Sequence, residues 1–259
     1  MGISDTADDE SLLSELEIAS RFLEGPSGCN RFFYVKTDTR YYSPVNSGRL
    51  LIDDADLLSI TSLKTDEDDD FDYDYTWATT DYFLEPLNRI PKWKITVKPN
   101  GSYSFPCGTN TVQIVGSWGY GDGESATPYI DSETNTNEAL DASETEIDTL
   151  DGTKFAAGMT LLVESEQMYV TATAGNTPTV KRGVNGTTAA THDTNKDIYI
   201  YRYPEGIKKA CLLLAAKGFQ MKNPFGFMGN SEMGAAFAGR LVDVRVAEYI
   251  SEYVRSSVV

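Results

Sequence analysis

Hydrophobic and polar positions follow two different periods along this chain. Near the start, Leu12, Leu16, Ala19 and Leu23 recur every three or four residues. This spacing predicts an amphipathic helix that buries one face. The helix is expected to end at Gly25-Pro26-Ser27-Gly28, because glycine and proline interrupt helical hydrogen bonding.

Two further helices are predicted beyond residue 200. Pro204 suits the first turn of a helix, and Asn223-Pro224 ends it, because a residue before proline disfavours helical backbone angles. From Leu241 to Arg255 the helical period returns, with apolar residues on one side and charged residues on the other. The apolar side of the first of these helices consists mostly of small residues, namely Ile207, Ala210, Cys211, Leu214, Ala215 and Gly218.

The rest of the chain has the pattern of short β-strands rich in aromatic and β-branched residues. Turn sequences such as Asn46-Ser47-Gly48 and Asn185-Gly186 separate them. The predicted strands before residue 120 are 32–37, 40–42, 49–53, 58–64, 81–86, 93–97 and 111–116. Those after it are 145–147, 160–163, 167–171, 178–182 and 198–201.

The strand that ends at Tyr120 and the helix that begins at Pro204 have the character of one domain, interrupted by a region of different composition. The first part of this region, 121–137, is rich in Gly, Ser, Thr, Asp and Glu, which predicts a flexible linker. We therefore predict a discontinuous domain of residues 1–120 and 201–259. An inserted all-β domain occupies residues 121–200, and the expected fold class is α+β.

The chain is strongly acidic, with a formal net charge of -17. Residues 201–259 reverse the sign, with 5 acidic and 8 basic residues. An acidic body disfavours wrapping by nucleic acid, because phosphate binding needs clustered cations. The acidity is consistent with general solubility or with a surface that must not retain passing DNA. No segment approaches the roughly 18 consecutive apolar residues of a membrane span, so no membrane association is expected.

Residue types that carry catalysis or bind metals are sparse. The three cysteines, Cys29, Cys107 and Cys211, are far apart in sequence, and His192 is the single histidine. A general base needs a nucleophile and an orienting group. No spacing in the chain identifies either, so we interpret His192 as a structural residue that braces a turn. We therefore expect no enzymatic activity, no cofactor and no metal site.

The densest charge cluster is an acidic segment that we call the acidic loop. Its acidic residues are Asp66, Glu67, Asp68, Asp69, Asp70, Asp72 and Asp74. Carboxylate oxygens are ligands that Ca²⁺ prefers, but the segment lacks the glycine and the closing glutamate of an EF-hand loop. A solvated loop between two strands is the favoured interpretation, and adventitious cation binding is the alternative.

An ordered series of segments resembles the head–tail connector, or adaptor, family of long-tailed bacteriophages. The series covers about residues 12–120 and 203–255, and the order of its members carries the likeness. Its members are Ile18–Leu23, Arg31–Val35, Thr39–Tyr42, Gly48–Asp54, Leu58–Leu63, Asp81–Arg89, Val115–Tyr120 and Pro204–Ala210. The resemblance implies a small helical connector domain with a β-hairpin or short-strand excursion, to which the all-β insert is added.

The resemblance also implies a function. Members of the family form rings, commonly dodecameric, that join the portal to the tail machinery and pass DNA through a central channel. The chain is therefore expected to be a structural protein of the virion neck, assembled in the host cytoplasm and acting in DNA ejection. Its expected partners are its own copies, the portal protein, a tail-side neck or tail-completion protein, and double-stranded DNA only in transit.

Two groups of residues receive roles from this resemblance. The acidic loop is predicted to face the channel or its rim, because an acidic lumen would let the duplex slide. The C-terminal segment of the family typically engages the portal, although packing of this helix on its own domain is the alternative. The residues assigned to portal binding are Leu241, Val242, Val246, Tyr249, Ile250 and Tyr253.

The family has only a short connection where this chain has residues 121–200. The segment Arg182–Thr187 resembles small β domains of phage structural proteins, and an insert at a loop is expected to project and to brace or decorate the assembly. A carbohydrate- or receptor-binding surface module is the alternative function. The aromatic residues available for it in the insert are Tyr129, Tyr169, Tyr199 and Tyr201.

Overall fold

The computed structural model describes residues 9–101, 103–222 and 244–255, and within them the chain is predominantly β. Three antiparallel sheets are present: sheet A with strand order β1-β7-β3-β4, sheet B with β2-β6-β5, and sheet C with β11-β10-β9-β12-β8. The strands are β1 Lys36–Tyr42, β2 Arg49–Leu51, β3 Leu57–Thr65, β4 Tyr75–Thr76, β5 Tyr82–Glu85, β6 Lys94–Val97, β7 Val112–Trp118, β8 Tyr129–Asn135, β9 Thr160–Val163, β10 Glu166–Ala174, β11 Thr177–Lys181 and β12 Asp197–Tyr201. The helices are α1 Asp9–Glu24, α2 Glu205–Lys222 and α3 Val244–Ile250, with a short 3-10 turn at Gly152–Lys154.

The expected fold, a small helical connector domain with a β excursion and an inserted β module, is wrong. Only 18% of the described residues are helical, and the strands before residue 120 form two sheets of their own. The error has a physical cause, because alternation shows that a strand exists but not which strand it pairs with. Trp118 pairs with Lys36 on one side and with Leu57 on the other, so residues far apart in sequence build the centre of sheet A.

The chain forms two compact units, described here separately. The helical unit combines residues 1–33 with 203–259, and the β unit comprises residues 34–202. These boundaries differ from those predicted from sequence, which lay after residues 120 and 200. The strands before residue 120 lie in the same unit as sheet C, whereas the helices of both chain ends lie together.

The helical unit is held by close packing of α1, α2 and α3. Ala19 and Leu23 of α1 and Ala210 of α2 are buried, as the spacing of apolar residues predicts. A side chain at Gly218 would place its Cβ 2.1 Å from a carboxylate oxygen of Glu15, so a larger residue there would have to displace the Glu15 carboxylate. After α1 the backbone of Gly28 lies very close to the last carbonyl groups of the helix. The helix therefore ends here, and the chain changes direction.

The core of sheet A centres on β7, whose residues alternate between buried and half-buried positions. Trp118 is fully buried, and its indole N–H donates to the carbonyl oxygen of Asp38 at 3.0 Å. The Arg40 guanidinium carbon lies 4.6 Å from the centre of the Trp118 ring. A large aromatic side chain with a satisfied polar atom therefore fixes the middle of this sheet.

Sheet C has a separate core within the β unit. Its members are Leu140, Ile147, Phe155, Leu161, Val163, Met168, Val170, Val180 and Ile198. Its first and last strands are neighbours, since Tyr129 of β8 pairs with Tyr201 of β12. The Arg202 guanidinium contacts the Asp122 carboxylate directly after β12, so the chain enters and leaves the sheet at one place. Strand β8 occupies residues for which the sequence predicted a flexible linker.

A loop of sheet C reaches strand β1 of sheet A. The backbone N–H of Thr37 donates to the carbonyl oxygen of Asn185 at 3.0 Å. The Gln167 side-chain amide donates to the carbonyl oxygen of Val35 at 3.1 Å and accepts from the Asn185 amide at 2.9 Å. Because of these hydrogen bonds, residues 34–120 and the predicted insert belong to the same compact unit.

Gly186 is expected to be the least replaceable residue of this contact. It has a φ of 83°, and a Cβ there would lie 2.1 Å from the Thr37 carbonyl oxygen. We expect Gly186→Ala to lower the free energy of unfolding by roughly 1–3 kcal/mol in urea denaturation. Gly175→Ala is the matched control, since Gly175 also has a positive φ of 60° but no atom within 4 Å of the position that an alanine methyl group would occupy. Equal losses for both variants would show that the close approach is unimportant.

Candidate functional site

The acidic loop lies between β3 and β4 and is held from inside by one buried carboxylate. Asp66 is 1% exposed, and its two oxygens accept the backbone N–H groups of Asp69 and Phe71, each at 2.9 Å. Burial opposes ionisation of Asp66, but these N–H donors outweigh it and lower the pKa of the carboxyl. Phe71 is thereby held on the surface, 64% exposed and with a φ of 66°.

Carboxylate oxygens of Asp66, Asp68 and Asp70 lie within 4.8 Å of one another. The Asp70 carboxylate and partial desolvation raise the pKa of Asp68, because two like charges disfavour each other's ionisation. Three oxygens at this spacing could contact one hard cation, although the Asp66 oxygens already accept hydrogen bonds. The predicted position of this loop in a channel stays a prediction.

A network of buried charges lies at one end of sheet C, where the sequence predicted no site. Glu166 is fully buried, and the Arg182 guanidinium donates to both of its oxygens, at 2.7 and 2.8 Å. The backbone N–H groups of Gly183 and Ala190 donate to the same carboxylate at 3.0 Å. Arg182 also donates to the carbonyl oxygens of Asp141, Glu144 and Ala190. The pair thus joins two loops, the one between β8 and β9 and the one between β11 and β12, to strand β10.

His192 belongs to this network and is 4% exposed. Its Nε2 lies 2.9 Å from the Glu166 carboxylate and its Nδ1 lies 2.8 Å from the Glu164 carboxylate. Both ring nitrogens therefore have carboxylate partners inside the fold. The geometry agrees with the interpretation of His192 as a structural residue, because both nitrogens are held by carboxylates and the side chain is buried.

Alternation along β10 could have identified Glu166 from the sequence. Glu166, Met168 and Val170 are two residues apart and share the buried face of the strand. A carboxylate at such a position requires a cationic partner, and Arg182 is the basic residue that follows β11. The partner itself could not be identified, because pairing between distant loops has no sequence signature.

The residues assigned to portal binding do not form one exposed group in the described part of the chain. Leu241 and Val242 lie outside the described residues. Val246 and Ile250 of α3 are buried in the helical unit, at 2% and 7% exposed. Tyr253 packs edge-on against the Phe33 ring, with the ring centres 6.1 Å apart. Tyr249 is on the surface, and portal binding by the whole stripe stays a prediction.

The helical unit exposes several large apolar side chains, which we call its apolar surface residues. They come from all three helices and from the segment after α3, so the exposure is not confined to one frayed end. Leu212 is the most exposed of them, at 60%. The set comprises Ile18, Leu212, Leu213, Val244, Tyr249 and Val254.

The four tyrosines considered for glycan binding do not form an exposed cluster. Tyr129 and Tyr201 pack edge-on against each other with ring centres 5.2 Å apart, and Tyr201 is 5% exposed. Tyr169 is 41% exposed on strand β10. Tyr199, on β12, is half-buried. The geometry thus gives no specific support to the carbohydrate-binding alternative.

The three cysteines are free thiols. Cys29 is buried, and burial raises the pKa of its thiol to about 11, which makes it a poor nucleophile. Cys211 is half-buried and Cys107 is exposed. Burial also raises the pKa of the Cys211 thiol.

Comparison with known proteins gave no relative. No protein-family model, curated protein or solved structure matches this chain. Among the residues described, no helix has the length and apolar character to cross a bilayer. The functional argument therefore rests on the residues and surfaces of this chain alone.

Proposed function

We propose that this chain is a structural, non-enzymatic subunit of a phage neck, which assembles into a ring between portal and tail. The proposal draws on the ordered series of segments that resembles the adaptor family. It does not depend on the helical fold that the resemblance implied, which the three sheets have replaced.

The observation that carries the proposal is the set of apolar surface residues on the helical unit. Leu212 and Leu213 follow each other on α2, at 60% and 41% exposed, and Ile18 of α1 is 56% exposed. A ring subunit needs apolar surface that neighbouring copies cover, because burial of apolar area drives stable association. Members of the ordered series, Ile18–Leu23 and Pro204–Ala210, lie in the same unit as this surface.

The buried charges of sheet C support a structural role for the β unit. Glu166, Arg182 and His192 direct their polar atoms to one another and to backbone groups. A catalytic site would instead present such groups to a cleft. Sheet C is therefore proposed to brace or decorate the ring.

Electron microscopy and native mass spectrometry of the full-length protein, alone and with the portal of the same phage, test the proposal. The expected result is a closed ring that stacks on the portal with its channel aligned. A chain that remains monomeric at all concentrations and does not bind the portal would contradict it.

Leu212→Asp is expected to abolish ring formation while leaving the fold intact. The side chain is largely exposed, so the free energy of unfolding should change by no more than about 0.5 kcal/mol. In a subunit interface the carboxylate would be buried without a partner, which disfavours association. Sedimentation velocity measures assembly, and urea denaturation measures stability.

Val45→Asp is the matched control for this variant. Val45 is 94% exposed in the β unit and receives the same chemical change. It should assemble as the wild-type protein does. Normal assembly of Leu212→Asp would remove the apolar surface residues of α2 from the proposed interface.

A further inference from the structure

The outer face of sheet B combines exposed apolar side chains with basic groups. Strand register places Leu51, Lys94 and Glu85 in one row and Arg49, Thr96 and Phe83 in the next, and residues two apart on each strand share a face. The opposite face contains Leu50 and Ile95, which are buried. We call the row-forming residues and Lys98 the basic face of sheet B, which comprises Arg49, Leu51, Phe83, Glu85, Lys94, Thr96 and Lys98.

The charges of this face have positions suited to a ligand with both apolar and acidic groups. Phe83 is 41% and Leu51 39% exposed, and the Lys98 ammonium lies 4.8 Å from the centre of the Phe83 ring. Lys94 pairs with Glu85 at 2.8 Å, whereas Arg49 has no ion-pair partner in the described part of the chain. Sequence composition is consistent with this, since residues 86–118 contain four Lys or Arg and no Asp or Glu.

The acidic loop has the complementary composition. Its tip presents Phe71, at 64% exposed, between the carboxylates of Asp70 and Asp72. A bulky residue rarely adopts a positive φ, and the buried Asp66 carboxylate holds the Phe71 backbone in that conformation. The fold therefore keeps an aromatic side chain on the surface between negatively charged side chains. The strained backbone and the exposed apolar area both cost free energy, and contact with a partner surface would offset that cost.

We propose that the tip of the acidic loop of one copy docks on the basic face of sheet B of the next copy. Phe71 would contact Leu51 and Phe83, and the loop carboxylates would meet Arg49 and Lys98. Because the two surfaces differ, the contact is head-to-tail, and repetition of one head-to-tail contact closes a ring when the rotation permits. The inference rests on the proposed ring assembly and adds a second contact to the apolar surface residues of the helical unit.

Charge decides between this occupant and nucleic acid. A chain of net charge -17 repels a polyanion at long range, and the basic face has too few unpaired cations to offset that repulsion. A short acidic segment with an aromatic tip needs only a few cations and an apolar contact. In this proposal the tip of the acidic loop contacts a neighbouring subunit. The proposal therefore replaces the prediction from sequence that the tip faces the lumen of the channel.

Charge reversal in the full-length protein tests the proposal. The face variant carries Arg49→Glu and Lys98→Glu. The loop variant carries Glu67→Lys and Asp72→Lys. These two positions were chosen because the side chains of Glu67 and Asp72 make no hydrogen bonds in the described part of the chain. Each variant alone should weaken association at least about 100-fold in sedimentation equilibrium, because like charges then oppose each other. A chain with all four substitutions should regain association, and so should a mixture of the two variants.

Two further variants separate the contact from unrelated effects. Lys154→Glu in the 3-10 turn before β9, together with Lys181→Glu on β11, makes the same change of charge elsewhere in the β unit and should associate as the wild-type protein does. Phe71→Ala removes the aromatic contact at unchanged charge and should weaken association about tenfold or more. Circular dichroism of every variant establishes that it is folded.

The possible outcomes distinguish this contact from the proposed function. A wild-type ring that tolerates both reversals, or reversals that do not compensate each other, would overturn the contact and leave the ring in place. A wild-type protein that remains monomeric would overturn both. Compensation in the four-substitution chain and in the mixture would establish the head-to-tail contact.

Discussion

Glu166→Gln is expected to destabilise the β unit by about 3–5 kcal/mol, the loss typical of a buried ion pair from which one partner is removed. The glutamine would leave the buried Arg182 guanidinium without a countercharge. It would also direct an amide N–H₂ group toward other donors. Equilibrium urea unfolding measures the loss, and hydrogen exchange of peptides from residues 160–192 should show that protection falls around the network.

Glu164→Gln provides the matched control for Glu166→Gln. Glu164 contacts the same imidazole and also Lys196, but its side chain is 45% exposed. Its replacement should change the free energy of unfolding by no more than about 1 kcal/mol. If the two variants lose equal stability, burial of the Glu166–Arg182 pair is not what fixes this end of sheet C.

Glu166 also predicts a pH dependence. Burial alone would raise the pKa of this carboxyl, but Arg182, His192 and two backbone N–H groups outweigh burial and lower the pKa from 4.5 to about 2. The depressed pKa means that Glu166 contributes its full stability above pH 4.5 and loses it as the pH falls toward 2. Wild-type stability should therefore fall more steeply over this window than that of Glu166→Gln.

Trp118→Ala is expected to lower the free energy of unfolding by about 3–5 kcal/mol. Trp118 is fully buried in the central strand of sheet A and contacts both neighbouring strands. Its removal leaves a cavity and an unsatisfied carbonyl group on Asp38. Far-UV circular dichroism during urea unfolding, at one protein concentration for all variants, measures the loss.

Trp93→Ala tests whether this loss comes from burial or from the residue type. The Trp93 side chain is 38% exposed, so its removal should cost clearly less than removal of the fully buried Trp118. A loss for Trp118→Ala no larger than that for Trp93→Ala would mean that β7 is not the centre of the sheet A core.

The sequence predicted the elements of this fold better than their arrangement. The helical spacing from Leu12 to Leu23 lies within α1, and the apolar run at 160–163 coincides with β9. Local composition and period determine such elements. Sheet A, in contrast, requires Lys36 and Leu57 to meet Trp118, and no local pattern specifies a partner that far along the chain.

The same distinction separates the surfaces that sequence reasoning found from those it missed. The acidic loop was visible as a run of carboxylates, but the role of Asp66 as its internal support was not, because that depends on which residue is buried. The basic face of sheet B was missed. Its members come from three strands and become neighbours only through the register of β2, β6 and β5.

The hydrogen bonds made by strand β1 bear on how this chain avoids aggregation. β1 lies at the edge of sheet A, and an open edge offers its backbone donors to any other strand. The Thr37 N–H is taken by Asn185, and the Thr39 N–H by the Asp38 carboxylate. Two backbone donors of this edge are therefore not available to another strand, which disfavours strand addition at β1.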